Sequence, residues 1–328
     1  MHLRKRSTAL AAAAALLLCS SPALAQRFTF ERSLTTGANP QLDISTNRGK
    51  IAVSAGDASH VTIKGTVTVR VGLDAPTNAV ELARQYSDNP EVEQKGDIVR
   101  VRPPSDANTA RAVTVSYDIV VPPGTAVTSV SGSGATTISR VNGRVSVTTS
   151  SASIALDRLG AETVVKTGSG AVSIDGVGGT LDVITQSGGL DLRGLRGALR
   201  ARTQSGHLDA TFIAAADIDV ETGSSAITLT GVDGALEART QSGRVNVSGK
   251  PARPWTITTG SSAIELSIPA PTSFTLEATS RSGGVDTDGF RVDGTTDNRH
   301  VAGRIGSGGP LVTLNTRSGS IKVGTSGR

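Results

Sequence analysis

Ten serines recur between residues 133 and 318 at separations of 18, 18, 18, 18, 19, 18, 19, 21 and 36 residues. A period this regular is the mark of stacked repeats and excludes most globular folds. The serines are Ser133, Ser151, Ser169, Ser187, Ser205, Ser224, Ser242, Ser261, Ser282 and Ser318, and the last interval spans two repeats. Around them the chain repeats one template, apolar-x-Thr-x-Ser-small-x-apolar-x-apolar, as in VITQSGGLDL (183–192), ARTQSGHLDA (201–210) and ARTQSGRVNV (238–247). Counted from each serine, positions −4, +3 and +5 are apolar almost throughout; in one repeat they are Val183, Leu190 and Leu192. Alternation on both sides of a small-residue corner means two short strands per repeat. A third inward position is expected at +8, from Val141, Leu159, Val177, Leu195, Ile213, Val232 and Phe290.

Two strands in 18 residues cannot enclose a core, so each coil must bury its apolar face against the next. The expected fold is therefore all-β, a parallel β-solenoid (β-helix) of about ten 18–19-residue coils, right-handed, with one short inserted helix. At the strand spacing of about 4.8 Å, ten coils make a rod of roughly 50 Å. Composition agrees: aromatics are only 2% of the chain and Gly numbers 38, which suits a narrow interior filled by small aliphatics. Position −2 is Thr or Ser in all ten repeats, Ser131 and Thr149 through Ser280 and Thr316. Hydroxyls in register are expected to bond one coil to the next, each worth about 0.5–1.5 kcal/mol. The small residue after each serine is expected to permit a tight corner.

Residues 1–25 read as an export signal: Arg4, Lys5 and Arg6, an apolar run to Leu18, then Ala23-Leu24-Ala25 before Gln26. The apolar run is too short to span a membrane, and Leu18 before Cys19 is a poor context for lipidation. Removing the signal takes three cations and no acids, so the formal charge of +5 falls to +2. It also removes the one Cys and the one Met. Nucleic acid is thereby disfavoured as a partner, and disulfides and thiolate metal sites are excluded. The expected organisation is a lead-in at 26–40, one solenoid domain at 41–324 and a tail at 325–328. QLDISTNRGKIAV (41–53) fits the template with Arg48 at the serine position, and 60–71, 98–102 and 113–121 read as further strands. A short helix is expected at 77–86, built on Val80, Leu82 and Ala83, and an irregular loop at 288–310.

The run YDIVVPPGTAVTSVSGSGATTI (117–138), the TxSG coils and the terminal HVAGRIGSGGPLVTLNTRSGSIKV (300–323) resemble a large bacterial family of unknown function whose members carry the label of candidate adhesins. The resemblance covers about residues 35–324 and implies an extracytoplasmic β-solenoid, periplasmic, at the cell surface or secreted. It implies no catalytic residues.

Chemistry-bearing residues are few. Asp191 is expected to stack over Asp209, with His207 on the same strand face. Two carboxylates about 5 Å apart are a motif for Ca²⁺ binding or a retaining glycosidase pair. The neighbours in that column are Ser173 and Thr228, so solvated surface charge is the favoured reading. Arg202, Glu221 and Arg239 are expected to form a plus-minus-plus ladder, which serves strand register before recognition of an acidic glycan. His60 and His300 are far apart, the serine repeated ten times is structural where a nucleophile would be singular, and Gly168-Ser169-Gly170 has no helix after it to bind phosphate. Trp255 falls on an inward column with Leu236 and Leu276. No catalytic, cofactor or metal residue is expected, and no membrane span. The expected function is a non-enzymatic adhesin-like or envelope scaffold that binds a protein or surface glycan. The alternative is a carbohydrate-binding or polysaccharide-cleaving β-helix, for which long loops beside a catalytic coil would be required.

Overall fold

In the computed structural model the described residues are 26–56, 59–72 and 75–326. The expected export signal at 1–25 lies outside them, as do the last two residues of the tail. Among the described residues two long sheets, the first of 15 strands and the second of 14, face each other across a continuous aliphatic interior. From Ala126 to Ile268 every coil contributes one strand to each sheet, and successive coils pair in parallel. The register never slips on the first sheet: Val147, Val165, Val183, Ala201, Val220, Ala238 and Ile257 form one ladder. The inward columns at −4 and +3 are buried, as expected, apart from half-exposed Val285 at the last-stacked coil. Each buried Val, Leu or Ile contributes about 1.5–3 kcal/mol, and because the ladders are identical the contribution recurs in every coil.

The corner threonines work differently from the expectation. The Thr203 hydroxyl accepts the backbone N–H of Gly206, three residues on in the same coil, at 3.0 Å. Thr167, Thr185, Thr240 and Thr316 do the same for Gly170, Gly188, Gly243 and Gly319. Donation to a neighbouring coil is added at only some positions, such as Thr259 to the Gly243 carbonyl at 2.9 Å. The column is first a set of corner clamps and only second an inter-coil ladder. The small residue after each serine is required by proximity: a Cβ on Gly206 would stand 1.9 Å from the Gly188 carbonyl oxygen of the preceding coil.

The +8 expectation holds at Val141, Leu159, Val177, Leu195 and Val232, which are buried, and fails at Ile213, which is 58% exposed. The reason lies one residue earlier. In six coils position +7 has a left-handed backbone (Arg140, Arg158, Gly176, Gly194, Gly231 and Gly289), and this bulge carries +8 back toward the interior, Phe290 remaining half-buried. The Ser205 coil has Phe212 at +7 with no bulge, so plain alternation turns Phe212 inward, pairs it with Leu195 and leaves Ile213 in solvent.

The ends depart most from the expectation. The first and last coils both lie inside the stack. The first coil, Gln41–Ala55, sits between Ala126–Ser139 on one side and the strands Ile98–Val101 and Val113–Val121 on the other. The last coil, Leu311–Thr325, inserts between Trp255–Ile268 and Phe274–Asp286. The lead-in is no lead-in: Arg27–Thr35 is a nine-residue strand antiparallel to His60–Val69. The segment 288–310 is largely a hairpin, Val292–Thr296 with His300–Ile305, which pairs antiparallel to Phe274–Ser280 and closes that end. Two helices are present among the described residues where one was expected. Helix α1 spans Ala79–Asp88 and buries Ala79, Ala83 and Tyr86, while Val80 is exposed. Helix α2 spans Ala107–Ala112, and its N-terminus is capped by the Asp106 carboxylate, which accepts the Thr109 N–H. That bond also holds the Asp106 carboxyl below its ordinary value.

Aromatic residues concentrate where the coils stop. Phe30 meets Tyr86 and Tyr117 edge-on at 6.4 Å in the first cap, and Phe274 meets Phe290 at 5.6 Å in the second. Trp255 is fully buried near the second cap and donates its indole N–H to the Gly234 carbonyl at 2.8 Å. The two tyrosine hydroxyls share a hydrogen bond of 3.1 Å. Burial raises both phenols, and at Tyr117 the neighbouring Tyr86 adds to the shift.

Candidate functional site

Pairing of Leu190 with Leu208 places Asp191 directly beside Asp209 on the outer face of the second sheet. His207 precedes that strand, and its ring lies over Gly189, where a Cβ would stand 2.2 Å from the imidazole. The three side chains come together as expected: one ligand atom from each lies within 4.8 Å of the others, and His207 Nε2 is 3.8 Å from Asp191 Oδ2. His207 and Asp209 are exposed and Asp191 is half-buried. The two carboxylates supply at most four of the 6–8 oxygens of a Ca²⁺ shell, and the His207 nitrogen adds none. The adjoining depression, along Asp191, Arg193, Asp209 and Thr228, has a volume of only about 120 Å³, well short of the few hundred a small-ligand pocket needs.

The outer face of the first sheet carries the charged ladder. Arg202 pairs with Glu221 at 3.5 Å as expected, but Arg239 turns to Glu237 on its own strand. A second column that the sequence reading passed over, Arg200, Asp219 and Glu237, binds into the same network. Asp219 takes both Arg202 at 3.2 Å and Arg200 at 3.4 Å. These groups are a third or more exposed, so each pair contributes about 0–1 kcal/mol. Beside the network runs a groove of about 600 Å³ that includes Glu162, Asp182, Asp217 and Asp219 with Arg200.

A second groove of about the same volume crosses the corner from position −3 to the repeat serine at the other end of this face. Its lining comes from four stacked coils and carries Arg281 and Arg317 but no carboxylate. Sequence reasoning missed it because the two arginines are 36 residues apart and become neighbours only through insertion of the last coil. Both do occupy the same template position, −1, and that was the available signal. His60 and His300 fall in opposite caps and join no cluster; His300 Nδ1 contacts the Thr279 hydroxyl at 3.0 Å.

No described helix is long and apolar enough to cross a membrane. No curated protein matches the chain. Two solved structures are similar to it. One is a candidate cell adhesion protein of Clostridium sporogenes ATCC 15579, with 11% identity, 92% of this chain and 100% of that one covered, and a TM-score of 0.19. The other is a candidate adhesin of Bacteroides fragilis NCTC 9343, with 12% identity, 91% and 97% covered, and a TM-score of 0.23. The Toastrack DUF4097 family model matches residues 39–217 and 199–324, together nearly all of the coils and both caps, and the chain belongs to that family.

Proposed function

We propose that this protein is a non-enzymatic, adhesin-like scaffold of the cell envelope, exported by residues 1–25, that presents a solenoid face to a partner. The observation that carries the reading is the uninterrupted stack from Ala126 to Ile268. Eight coils follow one another there with no inserted strand or helix. A catalytic β-helix needs walls around its substrate, and loops of this length build none. What such a stack offers instead is a long, rigid ribbon of polar side chains at fixed spacing, suited to many weak contacts at once.

The test is retention of the purified chain on envelope fractions of its host, compared with an Arg200→Glu/Arg202→Glu variant. Retention by the wild type, reduced in the variant with its melting temperature kept, supports the reading. Release of new reducing ends from acidic polysaccharides by the wild type would instead establish the cleaving alternative. Export is tested separately by fusing residues 1–25 to a reporter and following it out of the cytoplasm.

A further inference from the structure

Along the middle of the first sheet's outer face the arginines stand beside acids: Arg200 and Arg202 with Asp219, Arg202 with Glu221, Arg239 with Glu237. At the corner near the second cap this rule is broken. Ser280 pairs with Thr316, and the Arg281 N–H bonds the Thr316 carbonyl at 3.1 Å, so Arg281 and Arg317 follow in adjacent coils. Neighbouring strands are about 4.8 Å apart. Both side chains are exposed, and the ion pairs among the described residues involve neither. Like charges in register repel, and a shared anion is what relieves them.

The surroundings narrow the anion. Gly260 at position −1 of the next coil leaves a gap between Gln241 and Arg317, which makes the depression. A Cβ there would lie 2.3 Å from the Gln241 carbonyl oxygen, so the coil spacing itself demands the gap. Around it stand Gln241, Thr258, Thr279 and Asn315, all hydroxyls or amides, and the lining has no apolar side chain. A lipid surface would need apolar contacts. Single-stranded nucleic acid would need stacking aromatics and a longer basic track. Amides and hydroxyls that can both donate and accept suit the hydroxyls of a sugar, and a guanidinium pair suits a planar or tetrahedral oxyanion.

The geometry points to a binding site for an acidic saccharide, with Arg281 and Arg317 holding a sugar carboxylate or sulfate ester and the amide and hydroxyl groups holding ring hydroxyls. The site spans three coil spacings, about 14 Å, and its oligosaccharide runs along the stack. The inference rests on the scaffold reading above and names the ligand class of its surface. Because the site has no aromatic platform, its affinity is electrostatic and falls as salt shortens the range of charge attraction.

The experiment titrates the full chain, by fluorescence anisotropy at low salt, with a labelled oligogalacturonate, a labelled sulfated glycosaminoglycan fragment and a labelled neutral malto-oligosaccharide. An Arg281→Gln/Arg317→Gln variant is measured beside an Arg158→Gln/Arg196→Gln control, two exposed arginines away from either groove, each checked by thermal melt. Binding of either acidic probe and not the neutral one, weakened about tenfold or more by the first variant and unchanged in the control, supports the site. That factor corresponds to the loss of one charge-assisted hydrogen bond. The carboxylate and sulfate arms decide between the two groups. Failure of both acidic probes, equal binding by both variants, or equal binding of the neutral probe would overturn it. Envelope retention by the Arg281→Gln/Arg317→Gln variant at the wild-type level would overturn the site while leaving the scaffold reading standing.

Discussion

The corner clamp can be tested by one atom. Thr203 is 5% exposed, and its hydroxyl accepts the Gly206 N–H at 3.0 Å with no bond of its own to another coil. Thr203→Val keeps the shape and removes the acceptor. Gly206 is buried against the Gly188 carbonyl, too close for a water to replace the lost partner. An orphaned buried N–H costs about 1–3 kcal/mol, and the added methyl returns at most about 0.8 kcal/mol of burial. The net loss is about 1 kcal/mol (range about 0.2–2.2), or up to roughly 3–4 °C in melting temperature at about 300 residues. Thr203→Ser keeps the acceptor and is expected to lose far less, since Ser280 already clamps Gly283 at 2.8 Å in the same column. Urea unfolding followed by far-UV circular dichroism measures all three proteins, with the transition first checked for a single step because repeat arrays can unfold in stages. A valine variant as stable as wild type, or a serine variant as weak as valine, would refute the clamp.

Three further outcomes are expected. Phe212→Ala should cost about 3–5 kcal/mol while Ile213→Ala should cost little, because only Phe212 faces the core; equal melts of the two variants would show the bulge argument to be wrong. Millimolar Ca²⁺ should leave the melting temperature unchanged, and Asp191→Ala/His207→Ala/Asp209→Ala should still fold. A ligand at 100 times its dissociation constant would add about 2.7 kcal/mol, so a calcium-dependent rise abolished by the triple variant would make the cluster a cation site. Both buried phenols titrate above their ordinary value in the folded chain. Their contribution is therefore intact below about pH 10 and lost as pH rises beyond it, when the unfolded chain releases protons that the folded one keeps. Tyr117→Phe should blunt that alkaline loss, as read in melts across the range.

The regular part of this molecule could be read from residues alone because every coil repeats the same local problem. Val183, Leu190 and Leu192 had to face inward, and once they did, parallel stacking placed Asp191 beside Asp209 and Arg202 beside Glu221 with no further information. The threonine column was equally visible, but its partner was not. Choosing between the Gly206 N–H and a carbonyl in a neighbouring coil depends on the backbone path of the corner. Ile213 failed for a related reason: one left-handed residue reverses the facing of all that follow it. That residue is glycine in four coils but arginine at Arg140 and Arg158, so the sequence carries no single mark of the bulge.

The ends belonged wholly to the tertiary structure. Nothing in the order of the chain says that Leu311–Thr325 should slide between two coils that precede it, or that Gln41–Ala55 should be covered by strands that follow it. Those choices are made by which exposed coil face finds an apolar partner, and the partner is distant in sequence. Arg281 and Arg317 became neighbours by the same event. A repeat determines its own interior because each unit meets copies of itself; where the copies stop, contacts between unlike segments decide, and only the folded chain brings those segments together.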